Sequence, residues 1–442
     1  MKDTKRRLEW FSFYDHTGLE AHLGRMAEQG WLLEKIGNFT WHYHRIEPKK
    51  LTFSVSYFPR ASMFDPGPSE EQETFYDFCA HTGWTLAASS GQMQVFYNER
   101  PDPVPIDTDP ALEVEAIHRS AKKSGLISQF LLLAVGVLNF GQFLWRLFDD
   151  TVATLASSLS LFSFVCWPVL FVLEGVELTT YFCWRRRALK AAEQGEFLAT
   201  KSHPMLQKLA LLVVLIGLAW CLAYVRGGLL ISTVISLICM FGLVFVIAQI
   251  RELLKRNKVS AGVNRVITFG ACVVLPLIVM VLVVALVLRT GGLGTGESGE
   301  LPLTLADLTE EPADGELDQN VLLNQSPLLA SLSVSQYFWV SRDGGDPPPH
   351  WLEYSVTQVK VSALYEVCRD DLLHQYDRYD RHFSPIDAAP WGAQEAYQSA
   401  YEDSGPMNDY LLCYPDRIVE IYFDWEPTPA QMAVVAEKLS GR

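Results

Sequence analysis

The chain has 442 residues, with 36 Lys plus Arg against 51 Asp plus Glu and a formal charge of −15. The charge is unevenly spread: residues 1–125 carry 14 basic and 18 acidic side chains, residues 126–289 carry 14 and 7, and residues 290–442 carry 8 and 26. A single soluble globule is excluded, and nucleic-acid binding is disfavoured, because neither flanking region has the basic excess that neutralises phosphates.

Lys2, Lys5, Arg6 and Arg7 resemble the start of a signal peptide, but no apolar core follows them, so no cleavable leader is expected. Residues 1–100 read as a cytoplasmic domain built from a duplicated unit. Thr17-Gly18-Leu19-Glu20 and Ser69-Glu70-Glu71-Gln72 both have the capping-box form that opens a helix. Leu19, Leu23 and Met26, then Phe75, Phe78 and Cys79, follow at helical spacing. Each helix ends in Gly-Trp, Gly30-Trp31 and Gly83-Trp84, with Gly placed for the left-handed cap. Strands are expected at Leu8–Phe13, around Phe39–Tyr43, at Leu51–Phe58 and around Val95–Tyr97. The resulting order, β-α-β-β-α-β, is the ferredoxin-like pattern, an α+β fold that carries little functional information.

This paired unit, the Pro-rich stretch after it and the apolar spans beyond resemble the bacterial membrane proteins of domain-of-unknown-function family two-eight-one-two. The resemblance covers residues 8–100 and the general layout. Its carriers are Met26-Ala27-Glu28-Gln29-Gly30-Trp31, Phe39, Tyr57 and Gly83-Trp84. The resemblance supports the architecture; it implies no catalytic residue, because no activity is established for that family.

Residues 101–125 read as a Pro-rich linker followed by a juxtamembrane helix. Residues 126–289 form an all-α membrane region with spans expected at Leu126–Leu147, Val152–Leu173, Gln207–Val225, Leu229–Ile250 and Val266–Leu288, each near the ~20 residues that cross a bilayer. Fourteen Lys and Arg residues flank one side of these spans, and only Arg146, Arg226 and Arg289 flank the other. The positive-inside rule then places the N-terminus in the cytoplasm and the C-terminus outside the cell membrane. Glu174 and Glu177 lie three residues apart between apolar segments. Inside the bilayer they would mark an ion or substrate path; otherwise they meet the basic loop beyond the helix.

Residues 290–327, rich in Gly and acid, read as a tether, and residues 328–442 as a small extracytoplasmic α+β domain. Strands are expected at Tyr337–Val340, Trp351–Val361, Tyr410–Tyr414 and Ile418–Phe423, and helices at Ala363–Arg381 and Pro429–Leu439. Trp339, Trp351, Trp391 and Trp425 supply its core. Cys368 and Cys413 are its only cysteines, and the exterior permits a disulfide between them. Asp370, Asp371, His374, Asp377, Asp380 and His382 could hold a cation, but their i, i+4 pairings with each other and with Arg378 and Arg381 fit a solvated ladder better. His42 and His44 face one side of a strand without further ligands at metal spacing.

There is no phosphate-binding G-x-x-x-x-G-K-[ST], no G-x-S-x-G and no H-E-x-x-H. Catalytic, cofactor and metal residues are therefore not assigned. The reading is a multi-pass protein coupling an outer binding or sensing domain to a cytoplasmic regulatory domain, with a protein partner on the cytoplasmic side and an unidentified ligand. A transporter using Glu174 and Glu177 is the alternative.

Overall fold

The computed structural model describes residues 3–9, 11–37, 40–200, 203–225, 227–289, 301–309, 315–340, 350–401 and 405–441. Its N-terminal part comprises β1 (Thr4–Arg7), α1 (His16–Glu28), β2 (Trp31–Ile36), β3 (Trp41–Arg45), β4 (Thr52–Tyr57), α2 (Glu70–His81), β5 (Thr85–Ser90) and β6 (Met93–Asn98). The strands form two three-stranded antiparallel sheets, ordered β1-β3-β2 and β4-β6-β5. The repeat is therefore β-α-β-β, present twice, and the expected single ferredoxin-like sheet lacked β2 and β5. β2 starts at the Trp of Gly30-Trp31 and β5 directly after Gly83-Trp84. Both also carry a register shift against their partner, between Leu33 and Lys35 and between Leu86 and Ala88, which breaks the two-residue alternation that identifies a strand.

The duplication extends to register. Leu33 faces Tyr43 and Ile36 faces Trp41 in the first copy; Leu86 faces Phe96 and Ser89 faces Gln94 in the second. Gly30 and Gly83 both have positive φ, +80° and +91°, and a Cβ at Gly30 would stand 2.8 Å from the Ile46 carbonyl. Their tryptophans differ. Trp84 is buried and donates to the Val104 carbonyl, whereas Trp31 is half-buried between the cations of Lys5 and Arg45.

The structure departs from the sequence pattern at two further places. α1 starts at His16 with Asp15 as its cap, so Thr17 and Glu20 make no capping box; the box at Ser69 and Gln72 is formed. The first strand lies at Thr4–Arg7 because the chain then leaves the sheet, and Phe11, Phe13 and Tyr14 enter the core instead. Phe39 falls outside the described residues.

α3 (Pro110–Ser124) leads into the apolar helices α4 (Leu126–Asp149), α6 (Ser158–Ala192), α7 (Pro204–Tyr224), α8 (Gly227–Arg256) and α9 (Ala261–Arg289). Among the described residues these five helices are long and apolar enough to cross a membrane. Between α4 and α6 lies the short α5 (Thr151–Ala156), so the second span begins at Ser158 rather than Val152. Val152 and Ala156 are apolar enough to read as lipid-facing, yet both are buried against protein.

The C-terminal part contains β7 (Gly315–Gln325), β8 (Leu329–Val340), β9 (Trp351–Val359), α10 (Tyr365–His374), β10 (Arg381–Ile386), β11 (Glu395–Tyr401), β12 (Gly405–Cys413), β13 (Arg417–Phe423) and α11 (Pro429–Leu439). Its strands make one antiparallel seven-stranded sheet, β10-β11-β12-β13-β9-β8-β7. One face buries Val419, Ile421 and Phe423 with Trp391, Val435, Leu303 and Leu305. The other buries Leu329, Leu411 and Ile418 with Leu372, Val152 and Ala156.

The segment read as a tether is thus built in where it is described. Leu303 and Leu305 are fully buried, the Tyr354 hydroxyl donates to the Leu303 carbonyl at 2.8 Å, and β7 forms the sheet edge. Residues 290–300 and 310–314 fall outside the described residues. The helix expected to reach Arg381 ends at His374, and Trp351 is exposed rather than part of the core.

Candidate functional site

The N-terminal part and half of α6 share one hydrophobic cluster. Leu178, Tyr181, Trp184 and Ala188 of α6 join Leu19, Leu23, Met26 and Tyr43 of the first copy, with Val114 and Ile117 of α3. Fully burying one such aliphatic side chain contributes about 1.5–3 kcal/mol, so this end of α6 belongs to the folded module.

Polar contacts fix the register of that junction. The Asp15 carboxylate, already capping α1 through the Gly18 amide, also accepts from the Thr200 hydroxyl at 2.8 Å. Thr17 and Thr200 exchange backbone-to-hydroxyl bonds, the Thr17 amide donating at 3.2 Å and the Thr200 amide at 2.8 Å. The Trp184 indole donates to the Leu198 carbonyl. Tyr14 packs edge-on against Tyr181, with ring centroids 5.2 Å apart.

Glu177 lies inside this junction. It is 6% exposed, and its two oxygens accept from the Ser12 hydroxyl and the Gln207 amide, each at 2.7 Å. Its neighbour Glu174 is differently placed: Oε2 is buried without a hydrogen-bond partner among the described residues. The two acids thus differ in their hydrogen bonding.

A titratable cluster adjoins the junction. His16 Nε2 lies 3.1 Å from the Glu113 carboxylate, and its Nδ1 lies 3.3 Å from the Tyr14 carbonyl. With an acceptor at each nitrogen the ring suits the doubly protonated form. Burial opposes that charge, but the hydrogen bond and charge of Glu113, aided by Glu20, hold the imidazole above its ordinary value. Glu20 accepts from the Val55 amide at 2.8 Å. Burial, with Glu113 and Asp107 nearby, pushes its carboxyl up to about 7 against the pull of that amide and of His16. Burial raises Asp107 as well. Sequence reading missed this cluster, although the i, i+4 pair His16 and Glu20 was a local signal; Asp107 and Glu113 reach it only through the fold.

A second contact involves the loop between β4 and α2. Met63 sulfur accepts from Arg251 at 3.0 Å, and Asn264, fully buried, donates to the Phe64 carbonyl at 3.1 Å. The Arg265 guanidinium lies 5.6 Å from the centre of the Phe64 ring. Lys123 donates to the carbonyls of Pro59 and Arg60. This loop thereby touches α3, α8 and α9.

In the C-terminal part, Cys368 and Cys413 are both buried in one apolar cluster as free thiols, and burial pushes each up to about 11. The acidic run on α10 is not a uniform ladder. Asp371 turns inward to accept from the Val152 amide of α5 at 3.2 Å, His374 contacts the Asp370 carbonyl, and His382 pairs with Asp377. Among the described residues no group of three His, Cys, Asp or Glu is placed to hold a metal ion. His42 faces Arg6 across the sheet, a poor neighbour for a cation.

Residues 16–128, from α1 into the first turn of α4, match the model of a family described as a protein of unknown function, DUF2812. No curated protein and no solved structure matches the chain.

Proposed function

We propose that the protein is a multi-pass membrane coupler, with its N-terminal module in the cytoplasm and its C-terminal module outside. The state of the outer module would reach the duplicated module through the spans. One observation carries this reading. Residues 151–192 form two helices separated by a single residue, Ser157. At one end α5 lies in the core of the C-terminal module; at the other, Leu178, Tyr181 and Trp184 lie in the core of the N-terminal module. Repacking either core therefore strains one continuous stretch of chain, and close-packed interiors transmit such strain. The orientation is supported by the fourteen-to-three distribution of basic residues.

Reporter fusions test the orientation: one before Met1 should be cytoplasmic and one after Arg442 extracytoplasmic, and both ends on one side would reject the reading. A second reading, transport, is favoured by the buried, unpartnered Oε2 of Glu174. It requires that Glu174→Gln abolish a flux in vesicles. Glu177 is already engaged by Ser12 and Gln207, which supports a positioning role for it instead.

A further inference from the structure

The two copies share register but not interior. Counted back from the Gly-Trp pairs, Leu19 and Leu23 of the first copy correspond to Gln72 and Tyr76 of the second, and by register Trp41 corresponds to Gln94. Gln72 and Gln94 are 5% and 0% exposed. The Tyr76 hydroxyl joins them, receiving from Gln72 at 3.4 Å and donating to Gln94 at 2.5 Å, while Gln94 donates on to the Gly91 carbonyl at 3.1 Å. Burying two amides costs free energy that such bonds only offset; Gln72 also closes the capping box of α2 through the Ser69 amide, which leaves Gln94 and the Tyr76 hydroxyl without a stability rationale.

Beside this network lies a cavity of about 200 Å³, walled by Ser62, Asp65, Gln72, Tyr76, Ser89 and Lys255. It bears one carboxylate and one ammonium with neutral hydrogen-bonding groups. Asp65 uses Oδ2 to hold the Ser62 amide at 2.7 Å. Lys255 stands 4.0 Å from Glu252, at the outer limit of an ion pair. An apolar cavity of about 150 Å³ holds a benzene molecule, so this one suits on the order of eight heavy atoms.

We propose that this cavity binds a small zwitterion, a free amino acid with a short side chain, its carboxylate on Lys255 and its ammonium on Asp65. The same loop carries Met63 and Phe64, which dock on α8 and α9, and Lys255 lies on α8. Occupancy would therefore bias the contact between the second copy and the helices. Acting as an effector rests on the coupling reading above; binding does not.

The test is calorimetric titration of the full chain in detergent with free L-amino acids offered singly, with acetate and ethylammonium as probes of each charge alone. At least one amino acid should bind, and neither single-charge probe should match it. Lys255→Gln and Asp65→Asn should each weaken binding roughly tenfold or more, the loss of one charge-assisted hydrogen bond. The Gln72→Leu/Tyr76→Leu variant should bind nothing; it also removes the Gln72 half of the α2 capping box and the Tyr76 partner of Gln94, so its Tm should fall, and the two charge variants decide the site. Failure of every amino acid to bind, or equal binding by both charge variants, would overturn the site. Binding that leaves amide exchange at Phe64 and Asn264 unchanged would retain the site and reject its effector role.

Discussion

The first copy of the duplicated unit is an anchor, and the second keeps an opening. They have the same strand order, the same register shift and the same left-handed glycine. Yet Leu19 and Leu23 bury themselves with Tyr181 and Trp184 of α6, whereas Gln72 and Tyr76 line a polar cavity. Duplication fixed the backbone and left the interior to diverge. Apolar side chains at equivalent positions commit a unit to one packing partner, and polar ones leave a space that a solute can fill.

Exchanging those side chains should break the comparison most severely. Leu19→Gln with Leu23→Tyr introduces two polar groups without partners and should cost roughly 4 kcal/mol or more. The reverse exchange, Gln72→Leu with Tyr76→Leu, gives up the Gln72 half of the capping box and the Tyr76 partner of Gln94 and should cost only about 1–3 kcal/mol. Equal losses in the two copies, measured by thermal unfolding in one detergent, would mean that their interiors are equivalent.

The tryptophans sharpen the contrast at the next scale. Trp84→Ala should cost about 3–5 kcal/mol, because the ring is buried and its N–H is bonded to Val104. Trp31→Ala should cost only about 1–2 kcal/mol, mainly its contacts with Lys5 and Arg45. Denaturant titration distinguishes them, and a larger loss at Trp31 would reverse the assignment.

A pH dependence belongs to the first copy. Glu20 titrates near 7 in the folded protein against an ordinary 4.5, so the native state holds an extra proton between those values. Its stabilisation is complete below about pH 4.5 and is lost as pH rises through 7, a difference of ~3 kcal/mol. The raised His16 contributes in the same direction. Relative to Glu20→Gln, the wild-type Tm should therefore fall between pH 5 and pH 8. A pH-independent difference would contradict the burial argument.

The C-terminal docking contact should be weaker still. Asp371→Ala leaves the Val152 amide without its acceptor and should cost about 1–3 kcal/mol in thermal unfolding. No loss would show that α5 is held by its apolar face alone.

The sequence made the spans legible because length and absence of charge suffice to identify them. α5 was not, because Val152 and Ala156 look the same whether they face lipid or protein. β2 and β5 were hidden by the shifts that interrupt their alternation. Gly30 and Gly83 were readable because the left-handed cap is a local requirement. Glu177 stood out as a charge beside an apolar run, but its partners Ser12 and Gln207 did not, being distant in the chain. The same holds for Asp15 with Thr200 and for His16 with Glu113.

We propose that residues 151–192 couple the two cores. Amide hydrogen exchange of the full chain, wild type against Asp371→Ala, tests it most directly. Loosening α5 from the C-terminal module should change the protection of Thr17 and Thr200, whose amides bond across the N-terminal junction. A change confined to α5 and residues 301–441, with Thr17 and Thr200 exchanging as in wild type, would contradict the account.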